Sequence, residues 1–246
     1  MVWFGSVRND ASNLTLLVIF SFPVNGKFSD NQLLVYNAVL DAQIAVIESI
    51  LPGVSWTEMH RTAERAILTA LREGGLLTSN ASVEEMIDAD LGAIFMPHGL
   101  GHLIGLDTHD VGGYAEGIAP ERSARPGLDK LRTARNLEEG MVVTVEPGCY
   151  FIDILLDLAL KNPAQNRFLN PERLEEFRGS GGVRLEDDVV VTSKGCENLT
   201  LCPRAVSEVL DVMNGKPWPP PVDVLPELNR NWVKNDGGKL LRYQLE

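Results

Sequence analysis

Around Pro97-His-Gly-Leu-Gly-His-Leu-Ile-Gly-Leu-Asp-Thr-His109 the chain changes its sequence pattern. Before this stretch, apolar residues recur at the spacing of amphipathic helices. From about Ala93 onward the apolar runs are short and glycines are frequent, which indicates strands joined by loops. Helices followed by strands that look antiparallel favour the α+β class.

Towards the N-terminus, the pattern predicts a buried strand over Leu14–Phe22 and then three helices. We expect Asp30 to cap the first helix and Pro52-Gly53 to end it. The second and third should each begin with a capping box, Ser55-x-x-Glu58 and Ser82-x-x-Glu85, in which two side chains bond reciprocally to free backbone amides.

Towards the C-terminus, the predicted elements are shorter and more closely spaced. Strands are predicted at Met141–Val145 and Val183–Val191, and helices at Leu155–Leu160, Pro171–Phe177 and Ala205–Met213. The run Pro217-Trp-Pro-Pro-Pro221 excludes regular structure, so we expect an irregular end.

Composition excludes several classes of partner. The net charge is −12 and the 22 basic residues are dispersed, so nucleic acid is not expected as a partner. Three cysteines without a CxxC pair fit a reducing compartment, and we expect a cytoplasmic protein. The apolar run Leu14–Val24 is too short to span a bilayer, so no membrane partner is expected; a cleaved signal peptide is the weaker alternative to a strand.

Three of the four histidines, His98, His102 and His109, lie within twelve residues. A single histidine in a loop is more often a structural residue than a ligand. Three among glycines favour a functional site, and the absence of HEXXH excludes a zincin helix. The glycines themselves indicate close packing of backbones.

Two glutamates, Glu146 and Glu186, occur in or next to apolar strand patterns. A carboxylate there is costly to bury unless it is paired or binds a metal. A solvent-facing strand residue is the simpler interpretation, but the Pro-Gly turn directly after Glu146 argues against it. Alternation places Arg184, Glu186 and Asp188 on one face, so Arg184 could orient Glu186.

One histidine with several carboxylates suits Mn²⁺, Co²⁺ or Zn²⁺, and a carboxylate-rich set favours manganese. Two such ions about 4 Å apart can hold a hydroxide and polarise a carbonyl. The residues therefore predict a two-metal hydrolase site.

Five motifs resemble those of the prolidases, the Xaa-Pro dipeptidases among the pita-bread metallopeptidases, and they stand in the same order and spacing. They are Met96-Pro-His-Gly-Leu-Gly-His102, His109-Asp-Val-Gly-Gly-Tyr114, Leu131-Arg-Thr-Ala-Arg135, Thr144-Val-Glu-Pro-Gly148 and Gly181-Gly-Val-Arg-Leu-Glu-Asp187. The resemblance runs from about Ser21 to Met213.

This resemblance implies a creatinase/aminopeptidase-like pita-bread domain, a homodimer, Xaa-Pro dipeptide substrates and two Mn²⁺ ions per site. By position, His102, Glu146 and Glu186 resemble metal ligands, and Glu146 also a general base. His98 and His109 resemble the histidines that steady the substrate carbonyl and the tetrahedral intermediate. Arg132 resembles the arginine that clamps the C-terminal carboxylate of the dipeptide, although a solvated surface charge is the simpler interpretation.

The chain departs from the family at two metal positions. The two aspartates expected before the helical region are replaced by Ser6 and Leu17. We therefore expect a domain incomplete at its N-terminal part: an atypical segment 1–20, a partial catalytic domain 21–215 and a Pro-rich tail 216–246.

Three functions remain open. The first is Xaa-Pro dipeptide hydrolysis, impaired because two ligands are missing. The second is an inactive pita-bread protein acting as a binding module. The third is another pita-bread peptidase, such as an aminopeptidase P type, which would accept longer peptides than a dipeptidase.

Overall fold

A computed structural model of the chain describes residues 2–6, 19–234, 238, 240 and 241. After an N-terminal pair of strands, helices occupy the first half of this part and antiparallel strands alternate with short helices in the second. The α+β prediction is confirmed. No helix within the described ranges is long and apolar enough to cross a bilayer.

Eight α-helices and nine strands lie in the described part. The helices are α1 Asp30–Ser49, α2 Trp56–Glu73, α3 Val83–Asp88, α4 Gly92–Phe95, α5 Asp153–Lys161, α6 Pro163–Asn166, α7 Pro171–Glu175 and α8 Val206–Met213. The strands are β1 Val2–Ser6, β2 Ile19–Pro23, β3 Val142–Val145, β4 Gly148–Tyr150, β5 Gly182–Arg184, β6 Asp187–Thr192, β7 Gly195–Asn198, β8 Val233–Lys234 and β9 Leu240–Leu241.

The helix starts follow the predicted positions with two corrections. Ser29, not Asp30, caps α1: its hydroxyl accepts the Gln32 N–H at 3.2 Å and the Gln32 side chain accepts the Ser29 N–H at 2.9 Å. Asp30 loses this position because serine with glutamine three residues later completes a capping box. The capping box at Ser82 and Glu85 is confirmed.

The second correction concerns α2, where the side chain of Ser55 makes no capping hydrogen bond. Ser55 instead forms a β-bridge with Asn136, and the Trp56 N–H donates to the carbonyl of Arg135 at 3.0 Å. A distant segment thus replaces the local cap and fixes the start of α2 against the loop 131–137.

The predicted strand Val183–Val191 is two strands in different sheets. Strand β5 pairs with β4, whereas β6 lies between β3 and β7. The break falls at Leu185 and Glu186, where β2 approaches through the bridge between Phe20 and Leu185. The chain passes from one sheet to the other at Glu186, because the residues before it pair with β4 and those after it pair with β3.

The N-terminal strand prediction is confirmed only for its last part. Strand β2 covers Ile19–Pro23 and pairs antiparallel with β1, from Val2 opposite Pro23 to Ser6 opposite Ile19. The predicted residues 14–18 lie outside the described residues.

The segment 216–234 is attached to the rest of the fold by a buried arginine. The guanidinium of Arg230 bonds to Glu208 at 2.9 Å and to Asp223, and it lies over the rings of Trp218 and Trp232 at 5.8 and 5.1 Å. Glu208 in turn accepts the Arg204 N–H at 2.9 Å. Paired buried charges therefore connect this segment to the helix α8 and to Arg204.

Removal of Arg230 should destabilise the fold, because Glu208 would keep a buried and uncompensated charge. We expect Arg230→Met to lower the free energy of unfolding by about 3–5 kcal/mol, measured by urea denaturation. Arg61→Met removes an exposed ion pair with Glu58 and should cost about 0–1 kcal/mol. Equal effects of the two substitutions would contradict the role assigned to the buried network.

Candidate metal centre

The segment 100–104 lies alongside β3 at a distance that only glycine permits. A Cβ at Gly101 would come within 1.9 Å of the Thr144 carbonyl oxygen. The Thr144 N–H donates to the His102 carbonyl at 2.9 Å, and the Glu146 N–H donates to the Leu100 carbonyl at 2.8 Å. The close packing predicted from the glycines is confirmed, and it carries His102 to the end of β3 where Glu146 begins.

Three buried side chains meet at this end. His102, Glu146 and Glu186 are 4, 9 and 3 % exposed, and each offers one donor atom within 4.8 Å of the others. These three are the residues that the sequence analysis assigned as metal ligands. Their grouping is carried by three separate segments: the glycine-rich stretch, the end of β3, and the break between β5 and β6.

Hydrogen bonds fix two members of the group. The hydroxyl of Thr144 accepts the His102 N–H at 3.0 Å and donates to Glu146 Oε1 at 3.1 Å. His102 Nδ1 lies 2.9 Å from the Leu103 carbonyl, so a proton on Nδ1 leaves Nε2 free to act as a ligand. Nε2 lies 3.3 Å from Glu146 Oε1.

Arg184 binds the other side of Glu146. Its Nη1 lies 3.1 Å from Glu146 Oε2. Alternation along the predicted strand favoured a contact of Arg184 with Glu186. The hydrogen bond that forms goes instead to Glu146, because β5 pairs with β4 directly after the Pro147 turn. Burial alone would raise the pKa of Glu146, but the contact with His102 and the charge of Arg184 outweigh it, so the pKa lies below its usual value.

Glu186 has no such cation at its carboxylate. Its Oε2 accepts the Ile19 N–H at 3.0 Å, which ties it to β2. Burial, followed by the negative charges of Glu146 and Asp188, raises the pKa of Glu186 to about 8. Burial next to other carboxylates thus favours the protonated form of Glu186 when no cation is bound.

The other two histidines lie on different sides of the group. His98 is largely buried, with Nδ1 2.8 Å from the Gly99 carbonyl and its ring 5.5 Å from that of Tyr150. Burial, then the charge of Arg184, lowers the pKa of His98 to about 4, so it is neutral at neutral pH. His109 is exposed, and its ring centroid lies 4.5 Å from that of His102.

Arg132 is exposed, as expected for either a substrate clamp or a surface charge. Its charge contributes, after burial and His102, to a lowered pKa of His109, which places it near that histidine. His109 and Arg132 thus border the solvent-facing side of the group, while His98 borders its inner side.

Three residues of this region carried no role in the sequence analysis. Thr144 connects His102 to Glu146, Tyr150 lies between His98 and Arg184, and Asp188 is buried on β6. Alternation offered a signal for Thr144, which stands two residues before Glu146 on the same strand face. No local pattern distinguishes a tyrosine that contacts a site from one that fills a core.

Comparison with known proteins assigns this arrangement to a family. The model of metallopeptidase family M24 matches residues 12–193. The chain belongs to this family. Its fold is accordingly the M24 pita-bread fold, as predicted.

Similar sequences include two mammalian Xaa-Pro dipeptidases. Those of Homo sapiens and Rattus norvegicus are each 57 % identical over 195 residues, which is 79 % of this chain and 39 % of theirs. A probable Xaa-Pro aminopeptidase of Botryotinia fuckeliana is 39 % identical over 210 residues, 85 % of this chain and 44 % of its own. The chain thus spans about two fifths of the length of these relatives.

Solved structures of two aminopeptidases resemble the fold. Pseudomonas aeruginosa aminopeptidase PepP has a TM-score of 0.62 at 35 % identity, covering 82 % of this chain and 39 % of its own. A zinc-substituted Escherichia coli aminopeptidase P in complex with product has a TM-score of 0.60 at 32 % identity, covering 82 % and 38 %.

Membership of a metallopeptidase family implies a divalent metal, and the donor set is compatible with one such ion. One imidazole nitrogen and two carboxylates are suitable ligands for Mn²⁺, Co²⁺ or Zn²⁺. Within the described part of the chain, no further histidine, cysteine or carboxylate belongs to this group of closely spaced donors. A second ion would need further anions, and the leucine at position 17 has no donor atom to give.

The hydroxyl of Thr144 should be needed for the geometry of the group. We expect Thr144→Val to lower the free energy of unfolding by about 1–3 kcal/mol, because it leaves the buried His102 N–H without an acceptor. Thr69→Val is the matched control, since that hydroxyl bonds a helix carbonyl at an exposed position and its loss should cost no more than about 0.5 kcal/mol. Urea denaturation of both variants in EDTA measures the two free energies of unfolding. A smaller loss of stability in Thr144→Val than in Thr69→Val would contradict the role assigned to the Thr144 hydroxyl.

The buried carboxylates should make the metal-free protein less stable in alkali. The folded protein keeps a proton on Glu186 up to about pH 8, whereas the unfolded chain loses it near the usual pKa of 4.5. Stability should therefore be full below the unfolded pKa and fall as the pH rises towards 8.

Thermal unfolding in EDTA between pH 5 and 9 would measure this fall. Glu186→Gln should reduce the loss of unfolding free energy over this pH range by on the order of a few kcal/mol. Part of the fall should remain, since burial and then Asp187 raise the pKa of Asp188 to about 7. The exposed control Glu139→Gln should follow the wild-type curve; an unchanged slope in Glu186→Gln would refute the assignment.

Proposed function

We propose that the chain is a metal-dependent hydrolase of Xaa-Pro dipeptides, related to prolidase and reduced in activity. The observation that carries the proposal is the buried group of His102, Glu146 and Glu186, whose donor atoms lie within 4.8 Å. The relatives named as Xaa-Pro dipeptidases support the substrate class, with 57 % identity across the region that contains this group.

His102, Glu146 and Glu186 would hold the ion, for which we propose Mn²⁺ because two of the three ligands are carboxylates. When bound, such an ion polarises the substrate carbonyl and lowers the pKa of a water molecule. Glu146 is the base that we assign to take the proton of the attacking water. Its lowered pKa keeps it ionised, and the Arg184 contact at 3.1 Å holds its carboxylate in place.

The two flanking histidines would bind different parts of the reacting peptide. His98 is neutral because burial lowers its pKa to about 4, and its Nδ1 proton faces the Gly99 carbonyl, so its Nε2 can accept a hydrogen bond from an N–H of the substrate. We assign His109, which lies beside His102 on the solvent side, to the substrate carbonyl and the tetrahedral intermediate.

Arg132 would hold the C-terminal carboxylate of the dipeptide. No hydrogen bond or ion pair engages its guanidinium within the described residues, so the group is available to a ligand. A bidentate contact of guanidinium with carboxylate would favour a dipeptide over longer peptides, whose carboxylate lies elsewhere.

The reduced activity follows from the two substituted metal positions. Ser6 offers only a neutral hydroxyl and Leu17 offers no donor, where the resemblance calls for aspartates. A site with fewer carboxylates holds a second divalent ion weakly, since less negative charge offsets the loss of hydration. The same substitutions favour the second candidate, a catalytically inactive pita-bread protein that uses its cleft as a binding module.

A third candidate is peptide cleavage of the aminopeptidase P type, favoured by the solved structures that the fold resembles. A homodimer and a cytoplasmic location are further proposals, which rest on the family resemblance and on free cysteines such as Cys149 and Cys196.

The three functions differ in metal content and substrate length. The full chain should be loaded with MnCl₂, its metal counted by mass spectrometry, and its hydrolysis of Gly-Pro and of Gly-Pro-Ala compared. Slow release of proline from Gly-Pro alone, abolished in His102→Ala, would support the dipeptidase. Cleavage of the tripeptide would indicate the aminopeptidase type, and a folded chain that binds metal without turnover would indicate the binding module.

Arg132→Met should raise KM for Gly-Pro about tenfold or more with a smaller effect on kcat, because the clamp binds a carboxylate whose charge does not change as the peptide bond is cleaved. Arg61→Met, at an exposed position on α2, is the matched control and should leave both constants unchanged. An unaltered KM in Arg132→Met would show that Arg132 is a solvated surface charge and does not bind the substrate carboxylate.

A further inference from the structure

The carboxylate of Asp188 is buried without a partner. Its residue is 0 % exposed, and neither side-chain oxygen accepts a hydrogen bond from any residue in the described part of the chain. Asp187, its neighbour on β6, is equally buried but is bonded to Arg204 at 2.6 Å and to Asn198 at 2.7 Å. The structure therefore satisfies one of two adjacent buried carboxylates and leaves the other free.

The position of Asp188 on the sheet directs it to the metal group. In the antiparallel pair β3–β6, Asp188 stands directly opposite Thr144. Side chains of directly opposed residues lie on the same face of a sheet. The hydroxyl of Thr144 on that face contacts both the His102 N–H and Glu146 Oε1. Asp188 thus shares its face with two of the three metal-binding candidates.

The charges around Asp188 are mostly negative. Its acidic neighbours are Asp187, Glu146 and Glu186, and the permanently charged cation that acts on it is Arg204. The Arg204 guanidinium is bonded to Asp187 and to the backbone carbonyl of Glu186. An isolated buried carboxylate is costly, so a cation in the group would relieve the cost.

We propose that Asp188 is a further acidic residue of the cation site, which supplies a third negative charge beside Glu146 and Glu186. It lies outside the group of donor atoms within 4.8 Å of one another, so it acts on the cation by its charge rather than as one of the three close donors. This charge would partly replace those missing at Ser6 and Leu17. The proposal rests on the metal centre of the proposed function, but not on peptide hydrolysis.

The test is cation binding by the full chain, measured by isothermal titration of MnCl₂ into EDTA-stripped protein at one fixed pH of 8. Asp188→Asn keeps the shape of the side chain and removes its charge. We expect it to weaken Mn²⁺ binding at least tenfold, and the metal-free variant to unfold at a temperature equal to or above that of wild type. The two shifts have opposite signs because the same charge favours the cation and destabilises the metal-free fold.

A purely structural aspartate would behave differently. Asp187→Asn, which loses the contact with Arg204, is the control for that case and should lower the unfolding temperature of the metal-free protein. If Asp188→Asn fails to fold, Asp188→Thr removes the charge with a residue suited to a strand, and the same weakening is expected.

Each outcome is decisive. Wild-type affinity in a folded Asp188→Asn or Asp188→Thr variant, with binding lost in His102→Ala, would overturn this inference and leave the metal centre standing. An absence of Mn²⁺ binding in the wild-type chain would overturn both. Binding that weakens while the metal-free variant loses stability as Asp187→Asn does would assign Asp188 to the fold.

Discussion

The contact between Gly101 and the carbonyl of Thr144 is the constraint on which the metal group depends. Any side chain at position 101 would collide with that carbonyl, so the glycine is what allows the segment 100–104 to lie against β3. Two backbone hydrogen bonds on either side of the contact set the register between His102 and Glu146. The hydroxyl of Thr144 bonds both the His102 N–H and the Glu146 carboxylate, and so holds these two residues next to each other.

Glu186, the third member of the group, is positioned differently, by the break between β5 and β6. Had β5 and β6 formed one strand, Glu186 would be an ordinary residue of a ladder. The chain instead passes from the partner β4 to the partner β3, and the Glu186 carboxylate accepts the Ile19 N–H of β2. Behind it, Arg204 bonds the carbonyl of Glu186 at 2.5 Å and the carboxylate of Asp187. Contacts from β2 and from Arg204 therefore fix the chain at the break between β5 and β6.

Much of this could be read from the sequence. Glycines at 99 and 101, a glutamate before Pro-Gly and a glutamate in an apolar run each carry a local signal, and together they gave the three residues that the fold brings together. The helix starts followed from capping residues, except that Ser29 rather than Asp30 caps α1 and that a bridge to Asn136 replaces the cap expected from Ser55. Three features depend on which segments become neighbours in space, and this cannot be predicted from one sequence. They are the bridge at Ser55, the division of Val183–Val191 and the contact of Arg184 with Glu146.

The distribution of buried charge separates what the fold needs from what a cation site needs. Arg204 and Arg230 neutralise the charges of Asp187 and Glu208, so these pairs need no bound ion. Among the described residues, no arginine or lysine forms an ion pair with Glu186 or Asp188, and their raised pKa values follow from burial next to other acids. A core that needed only stability would lose little by replacing them with apolar residues. Because Arg204 bonds both Asp187 and the carbonyl of Glu186, the scaffold around the unsatisfied acids is held by contacts that need no metal ion.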